Sequence, residues 1–335
     1  MIREFTTAAK VSVILTAVGC TPFCDTVTPR AQSVLATATS PPPRSVSEGT
    51  ASRPDGSALE HYVLDEPDLI ARLPFELQEV SGLTDISPSE VACVQDEDGV
   101  IFVYDLELRK ITRRVRFGPT GDYEGVTGVG SRLFVLRSDG VLFEVEVLQG
   151  EPSIRTHALG IPTGNNEGLC FDPGGERLLI APKSRLGKGK EFKNVRPVYA
   201  LDLKKLTLEA EPSIVLDVER IRNFAEAHAR PLPEKQKKKG GGKRISLRFM
   251  PSSLSVHPMT GEIIALSAID HVLAAFDQRG NVTGYAMLDA KLLPQSEGIT
   301  FLPSGDMVVV SEGAGKEASL LRFHWNGPPL MNDWP

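Results

Sequence analysis

The heptapeptide "QSEGITF" at residues 295–301 is a near-copy of two earlier stretches, "DYEGVTG" at 122–128 and "NNEGLCF" at 165–171. Each sets Glu-Gly-aliphatic at the head of an apolar run. Two weaker copies, "EVSGL" around Gly82 and "PSSLSV" around Ser253, complete a series at positions 82, 125, 168, 253 and 298. Three of its four steps are 43, 43 and 45 residues long, close to the length of a four-stranded propeller blade, about 40 to 50 residues.

Each unit repeats one internal grammar of short β-rich runs divided by turn residues. In the second unit the runs are "GVTGV", "RLFVL", "VLFEVEV" and "SIRTHAL", and in the fourth "SLSV", "EIIAL", "VLAAF" and "VTGYAML". Four runs per unit make an antiparallel meander, so the chain is expected to be an all-β propeller of four-stranded blades. The 85-residue step between Gly168 and Ser253 is accounted for by insertions at about 184–248. These are a loop at 184–194, a short helix at 218–229 and the basic run "KQKKKGGGKR" at 235–244. Five blades result, with six as the alternative. After Gly298 only three strand runs remain, and "DLIARLPF" at 68–75 is expected to supply the fourth, closing the ring and leaving no open sheet edge.

In a propeller the first strand of each blade lines the channel and the second returns antiparallel to it. Starts of first strands and ends of second strands therefore share one rim. Glu124, Glu167 and Glu297 stand at starts, with Ser81 and Ser252 at the equivalent places; Asp96, Arg137, Lys183, Ser267 and Glu312 stand at second-strand ends. Three crowded carboxylates must be protonated, paired or bridged. Arg137 and Lys183 neutralising them is one solution. Ca²⁺ held by Glu124, Glu167 and Glu297, with Glu312 or Asp96 helping, is another. A small organic ligand bound by Asp96, Arg137, Lys183 and Glu312 is the third. The glycines beside the glutamates permit close approach of inner strands near the axis.

Composition places the chain among globular proteins, with 41% hydrophobic and 24% charged residues in 335. A net charge of -6 argues against nucleic acid as a partner, because phosphate binding needs a basic surface. Residues 1–19 carry Arg3 and Lys10, then a short apolar stretch and Gly19, which reads as a signal peptide. Cys20 follows in a lipoprotein-like cleavage box and is the expected lipidation site. Ordinary secretion, or a soluble periplasmic protein, is the alternative. Residues 20–58, rich in Pro, Ser, Thr and Ala, read as a flexible tether, and 59–335 as the propeller, a monomer. Cys93 and Cys170 lie in strand-like runs and are expected to be buried thiols.

The series "EVSGLTD", "DYEGVTG", "NNEGLCFDP", "PSSLSVHPMTGEIIALS" and "QSEGITFLPSGDMVVVSE" resembles the SdiA-regulated family of secreted or envelope-anchored bacterial β-propellers, over about residues 73–323. That family typically shows Ser-Gly-Leu in its first and fourth units, and here the fourth has Ser252-Ser253-Leu254. The resemblance implies the fold and an envelope location but no agreed activity. A more distant likeness to calcium-dependent propeller lactonases and phytase-like esterases implies channel carboxylates that hold a metal. The function classes are thus an envelope module binding a cation or small ligand, or a metal-dependent hydrolase of a lactone or phosphoester. The common nucleophile-elbow and zinc-ligand signatures are absent from the sequence. Of the scattered histidines, His257 is expected to be structural, at the rim opposite the glutamates, and His271 is the one placed near them.

Overall fold

The computed structural model describes residues 56–146, 151–237, 241–312 and 317–328. The leader, Cys20 and the tether up to residue 55 lie outside the described residues. Ser57 and Ala58, at the end of that tether, are buried, and Ala58 opens a 3-10 turn, Ala58–His61.

Strand β1 (Leu69–Arg72) precedes the first blade, which is β2 (Val80–Asp85), β3 (Glu90–Gln95), β4 (Val100–Asp105) and β5 (Lys110–Arg116). The second blade is β6 (Tyr123–Val129), β7 (Arg132–Arg137), β8 (Val141–Glu146) and β9 (Ser153–Ala158). The third is β10 (Asn166–Asp172), β11 (Arg177–Pro182) and β12 (Val195–Asp202), whose outer edge is covered in two pieces by β13 (Thr207–Leu208) and β14 (Ile214–Asp217). Helix α1 (Val218–Ala227) and the hairpin β15 (Glu234–Gln236) and β16 (Lys243–Ile245) follow. The fourth blade is β17 (Ser253–Val256), β18 (Ile263–Ser267), β19 (Val272–Phe276) and β20 (Val282–Met287). The fifth is β21 (Ser296–Phe301), β22 (Met307–Ser311) and β23 (Ser319–Phe323), completed by β1 from the other end of the chain.

Five blades imply five interfaces, and the buried apolar residues divide in that way. One cluster joins blades one and two, the next two and three, then three and four, four and five, and five and one. The long step between repeats therefore holds no sixth blade. Helix α1, capped by Asp217 through the backbone N–H groups of Glu219 and Arg220, buries Val218, Ile221 and Ala225 in the cluster between blades three and four. Cys93 and Cys170 are buried free thiols within these clusters.

The inner strands are laced around the axis by hydroxyls two residues after the repeat glycines. Thr84 Oγ1 accepts from the Gly128 N–H at 3.3 Å, Thr127 Oγ1 from Phe171 N–H at 3.0 Å, and Thr300 Oγ1 from Asp85 N–H at 3.3 Å. At the glutamate end the crowding is tighter. A Cβ on Gly82 would lie 2.7 Å from the carbonyl oxygen of Glu124, and one on Gly125 2.8 Å from that of Glu167. Glycine at these two positions is thus a requirement of backbone approach between blades.

Candidate functional site

The glutamates owe their direction to a repeated irregularity. In β6, β10 and β21 the pairing register slips between Tyr123 and Gly125, between Asn166 and Gly168, and between Ser296 and Gly298. Glu124, Glu167 and Glu297 are the extra residues of these bulges, and Ser81 is the same residue in β2. A bulge leaves one residue out of the ladder and re-aims its side chain. The Glu-Gly pair is the sequence trace of that bulge, a signal that strand patterning alone passes over.

At this mouth Glu167 is 4% exposed, and it accepts an ion-paired hydrogen bond from Lys183 Nζ at 2.8 Å and one from Asn165 Nδ2 at 2.9 Å. Burial pushes the Glu124 carboxyl up to about 8, with Glu167, Asp122 and Glu297 adding to it and Lys183 opposing. Burial likewise pushes Glu167 up to about 7 against the pull of Lys183, and raises Glu297. Glu312, hydrogen-bonded by Gln295 Nε2, is raised to about 7 by burial and by the charges of Glu297, Asp96 and Glu79. Asp96 reaches about 6 through burial and the neighbouring Glu79, Glu97 and Asp122. Burial works against the Lys183 ammonium, but Glu297, Glu167 and Glu124 outweigh it and hold its pKa above the ordinary lysine value.

Arg137 does not join this group as expected. Its Nε and Nη2 donate to Asp139 at 2.9 and 2.8 Å, and its guanidinium stacks 5.7 Å from the centroid of Phe143, so it is consumed within its own blade. Ser81 donates to the Tyr123 carbonyl at 2.6 Å and serves blade packing. In the fourth blade Ser267 and Asp270 accept from the backbone N–H groups of Met250 and Phe249 at 3.1 and 2.7 Å. The returning arm of the insertion thereby covers the place where that blade would contribute a charged group. His271 sits in the left-handed region at φ 52° and is not among the groups that shift the rim glutamates. His257 lies at the other end, buried against Tyr62.

Among the described residues, no three His, Cys, Asp or Glu side chains are arranged to hold a metal ion. Three buried polar atoms at this mouth, Asp96 Oδ1, Asn166 Oδ1 and Ser296 Oγ, have no partner among the described residues. The mouth is thus a proton-rich acidic site with unsatisfied acceptors, organised around one ammonium group.

Raised carboxyl pKa values set a pH dependence. A carboxyl that binds its proton more tightly folded than unfolded contributes stability below the ordinary carboxyl range and loses it as pH rises through the folded pKa. Here that loss sets in at about pH 4, at the ordinary carboxyl range, and is complete for each group as pH passes its folded value, about 6 for Asp96, about 7 for Glu167 and Glu312 and about 8 for Glu124. Asp139, which the hydrogen bond from Arg137 holds low, titrates below this window. The melting temperature at constant ionic strength should therefore fall from pH 5 to pH 8, and Glu124→Gln should raise it at pH 8 and flatten the upper part of the curve. A melting temperature that climbs with pH in both proteins would contradict the assigned charges.

No family model matches the chain, and no curated protein matches it. Solved structures do. The glutaminyl cyclase of Myxococcus xanthus aligns with a TM-score of 0.53 and 15% identity, covering 78% of this chain and 96% of that one. A luciferin-regenerating enzyme aligns with a TM-score of 0.44 and 12% identity, covering 79% and 98%. At 15% identity the first of these likenesses speaks for the fold alone. The chain is a five-bladed β-propeller.

Proposed function

We propose that the acidic mouth binds a small cation, either a molecule bearing an ammonium group or a hard divalent ion such as Ca²⁺. The observation that supports this is the charge balance. Lys183 is the one cationic group among those that shift Glu124, Glu167, Glu297 and Glu312, and it is already paired with Glu167. A positive ligand offsets the burial, and the mutual repulsion at Glu124 and Glu312, that keep protons on these carboxyls. An ammonium donates hydrogen bonds to side chains as they stand, whereas a divalent ion requires Lys183 to withdraw and several oxygens to converge. The leader, the lipidation box at Cys20 and the resemblance to SdiA-regulated propellers support placing this module at the bacterial envelope, lipid-anchored or secreted.

A second reading, hydrolysis of a lactone or phosphoester, is favoured by one feature. Glu124 holds a proton near neutral pH beside the Glu167–Lys183 pair, which is the arrangement of a general acid next to a base. In that reading Glu124 supplies or removes the proton, and Glu167 and Glu297 would have to converge to hold a divalent cation, which would polarise the substrate.

Protein stripped of metal should gain melting temperature on titration with Ca²⁺ or with ethanolamine at pH 8, and less at pH 5, where protonated carboxyls repel less and attract less. Glu297→Gln should weaken the response, since an amide keeps the size and loses the charge. A melting curve indifferent to both cations at pH 8 would refute cation binding. Turnover of a lactone or of p-nitrophenyl phosphate, lost in Glu124→Gln, would establish the second reading.

A further inference from the structure

The channel has a second mouth, at the far ends of the inner strands, and its chemistry differs. A cavity of about 1060 Å³ opens there, lined by residues of all five blades, among them Asp85, Gly128, Phe171, Val256 and Phe301. That is at the upper end of the volumes that hold small molecules, about 300 to 1,000 Å³. Strand β2 runs from one mouth to the other over six residues, about 17 Å at the rise of a strand.

Charge in this cavity is concentrated at one point. Asp172, 1% exposed, pairs with Arg177 at 2.8 Å, so these two cancel. Asp85 forms no ion pair among the described residues. Its Oδ1 accepts the Thr300 hydroxyl at 3.2 Å, while its own N–H donates to Thr300 Oγ1 at 3.3 Å, an exchange that holds both side chains in place. Burial raises the Asp85 carboxyl above its ordinary range, as expected of a charge that lacks a counter-ion. The same lining carries apolar side chains that their own clusters cover only in part, Ile86, Phe171 and Val256, beside the hydroxyls of Thr127, Ser255 and Thr300.

We propose that this second mouth binds a primary amine carried on an apolar body about the size of a benzene ring, the ammonium against Asp85 and the body against Ile86, Phe171 and Val256. Asp85 is the one carboxylate of the lining without an ion pair among the described residues, no three His, Cys, Asp or Glu side chains there are arranged to hold a metal ion, and a hard ion takes about six to eight oxygens from walls that here are partly apolar. A hydrophilic amine would lose water against those walls without compensation. An aromatic amine satisfies both parts, and Phe171 adds a ring for edge or cation contact. The site is independent of the acidic mouth, because the two share strands but no side chain.

The test is calorimetric titration of the full chain with phenethylamine at neutral pH, beside 2-phenylethanol, which keeps the ring and loses the charge. Phenethylamine should bind at least tenfold more tightly than the alcohol. With the acidic mouth saturated by ethanolamine, Asp85→Asn should weaken it tenfold or more, and Phe171→Ala severalfold. Absence of binding overturns the proposal, as does undiminished affinity in a folded Asp85→Asn protein. Displacement of phenethylamine by excess ethanolamine also overturns it by placing the amine at the acidic mouth. If Asp85→Asn does not fold, unaltered affinity in Phe171→Ala overturns it on its own.

Discussion

A chain lacking residues 56–73 should fail to form a stable ring and should aggregate. Strand β1 pairs with β23 over Leu69 to Arg72, and the ladder extends through Asp68 N–H to Arg322 O at 3.0 Å and Leu73 N–H to Ala318 O at 2.8 Å. Upstream, the Ala58 N–H donates to Glu262 at 2.7 Å, and Tyr62 packs on Trp325 with its hydroxyl fixed between blades four and five. The roles there follow from His257. Its Nδ1 accepts from the Met259 and Thr260 N–H groups at 3.3 and 3.2 Å, so Nε2 carries the proton and donates to the Tyr62 oxygen at 2.8 Å. Tyr62 then donates to Gly305 O at 2.5 Å. Burial pushes this imidazole down to about 3, with His61 adding to it, so the staple stays neutral at working pH. Leu59, Leu69 and Leu73 are each below 10% exposed, and at about 1.5 to 3 kcal/mol apiece their burial contributes about 5 to 9 kcal/mol. That is of the order of the whole stability of a domain, about 5 to 15 kcal/mol. Deletion also uncovers β23 as an edge. Size-exclusion chromatography and thermal melts decide the matter: a monomer with unchanged melting temperature would show that the N-terminal strand does not close the ring. Tyr62→Phe is the milder probe and should cost about 1 to 3 kcal/mol by leaving His257 and Gly305 without their buried partner.

Arg196→Met should be the most damaging single substitution. Arg196 is 1% exposed, and its guanidinium donates to backbone carbonyls: Phe249 at 2.6 Å through Nε, Lys193 and Val195 at 3.0 and 2.9 Å through Nη1, and Arg248 through Nη2. It thereby fastens the arm at 248–250 to the third blade, while Asp270 fastens the same arm to the fourth through the Phe249 N–H. Burial lowers its pKa to about 10, with Arg185 adding to the fall and Asp270 opposing it, and the group stays charged at neutral pH. Methionine fills similar volume but leaves these carbonyls unpaired, at a cost of about 3 kcal/mol or more. Phe249 sits at φ 41°, a conformation that needs support from its surroundings. Hydrogen exchange at residues 246–250 should therefore rise well before global unfolding. Arg196→Lys should recover little, since a point ammonium cannot reach carbonyls spread around a planar fork. Unchanged exchange and melting temperature in Arg196→Met would show that the arm is held by its apolar contacts alone.

Strand count, blade order and ring closure were legible because they follow from local chemistry. Two-residue alternation, turn residues and the 43-residue return of Glu-Gly each act within a few residues, and β1 could be placed because a ring with three strands in its last blade needs a fourth. The fate of the long step was legible only in part: "VERIRNFAEAHA" has a helical spacing and α1 forms there, but a sixth blade stayed open. Partner choice was not local. Arg137 and Lys183 occupy equivalent places at the ends of second strands, yet Asp139 lies two residues from Arg137 and captures it, while Lys183 reaches Glu167 across its own blade. Asp85 and Arg196 carry no motif at all. Asp85 matters because five inner strands end around one cavity, and Arg196 because carbonyls some fifty residues downstream turn toward it. The sequence by itself therefore determined the four-stranded blade, the closing strand and which residues share a rim, while five blades rather than six followed from how the insertion packs. Only the tertiary structure decided which charges meet, because hydrogen bonds and ion pairs depend on bulges, rotamers and loop paths set by residues far away along the chain.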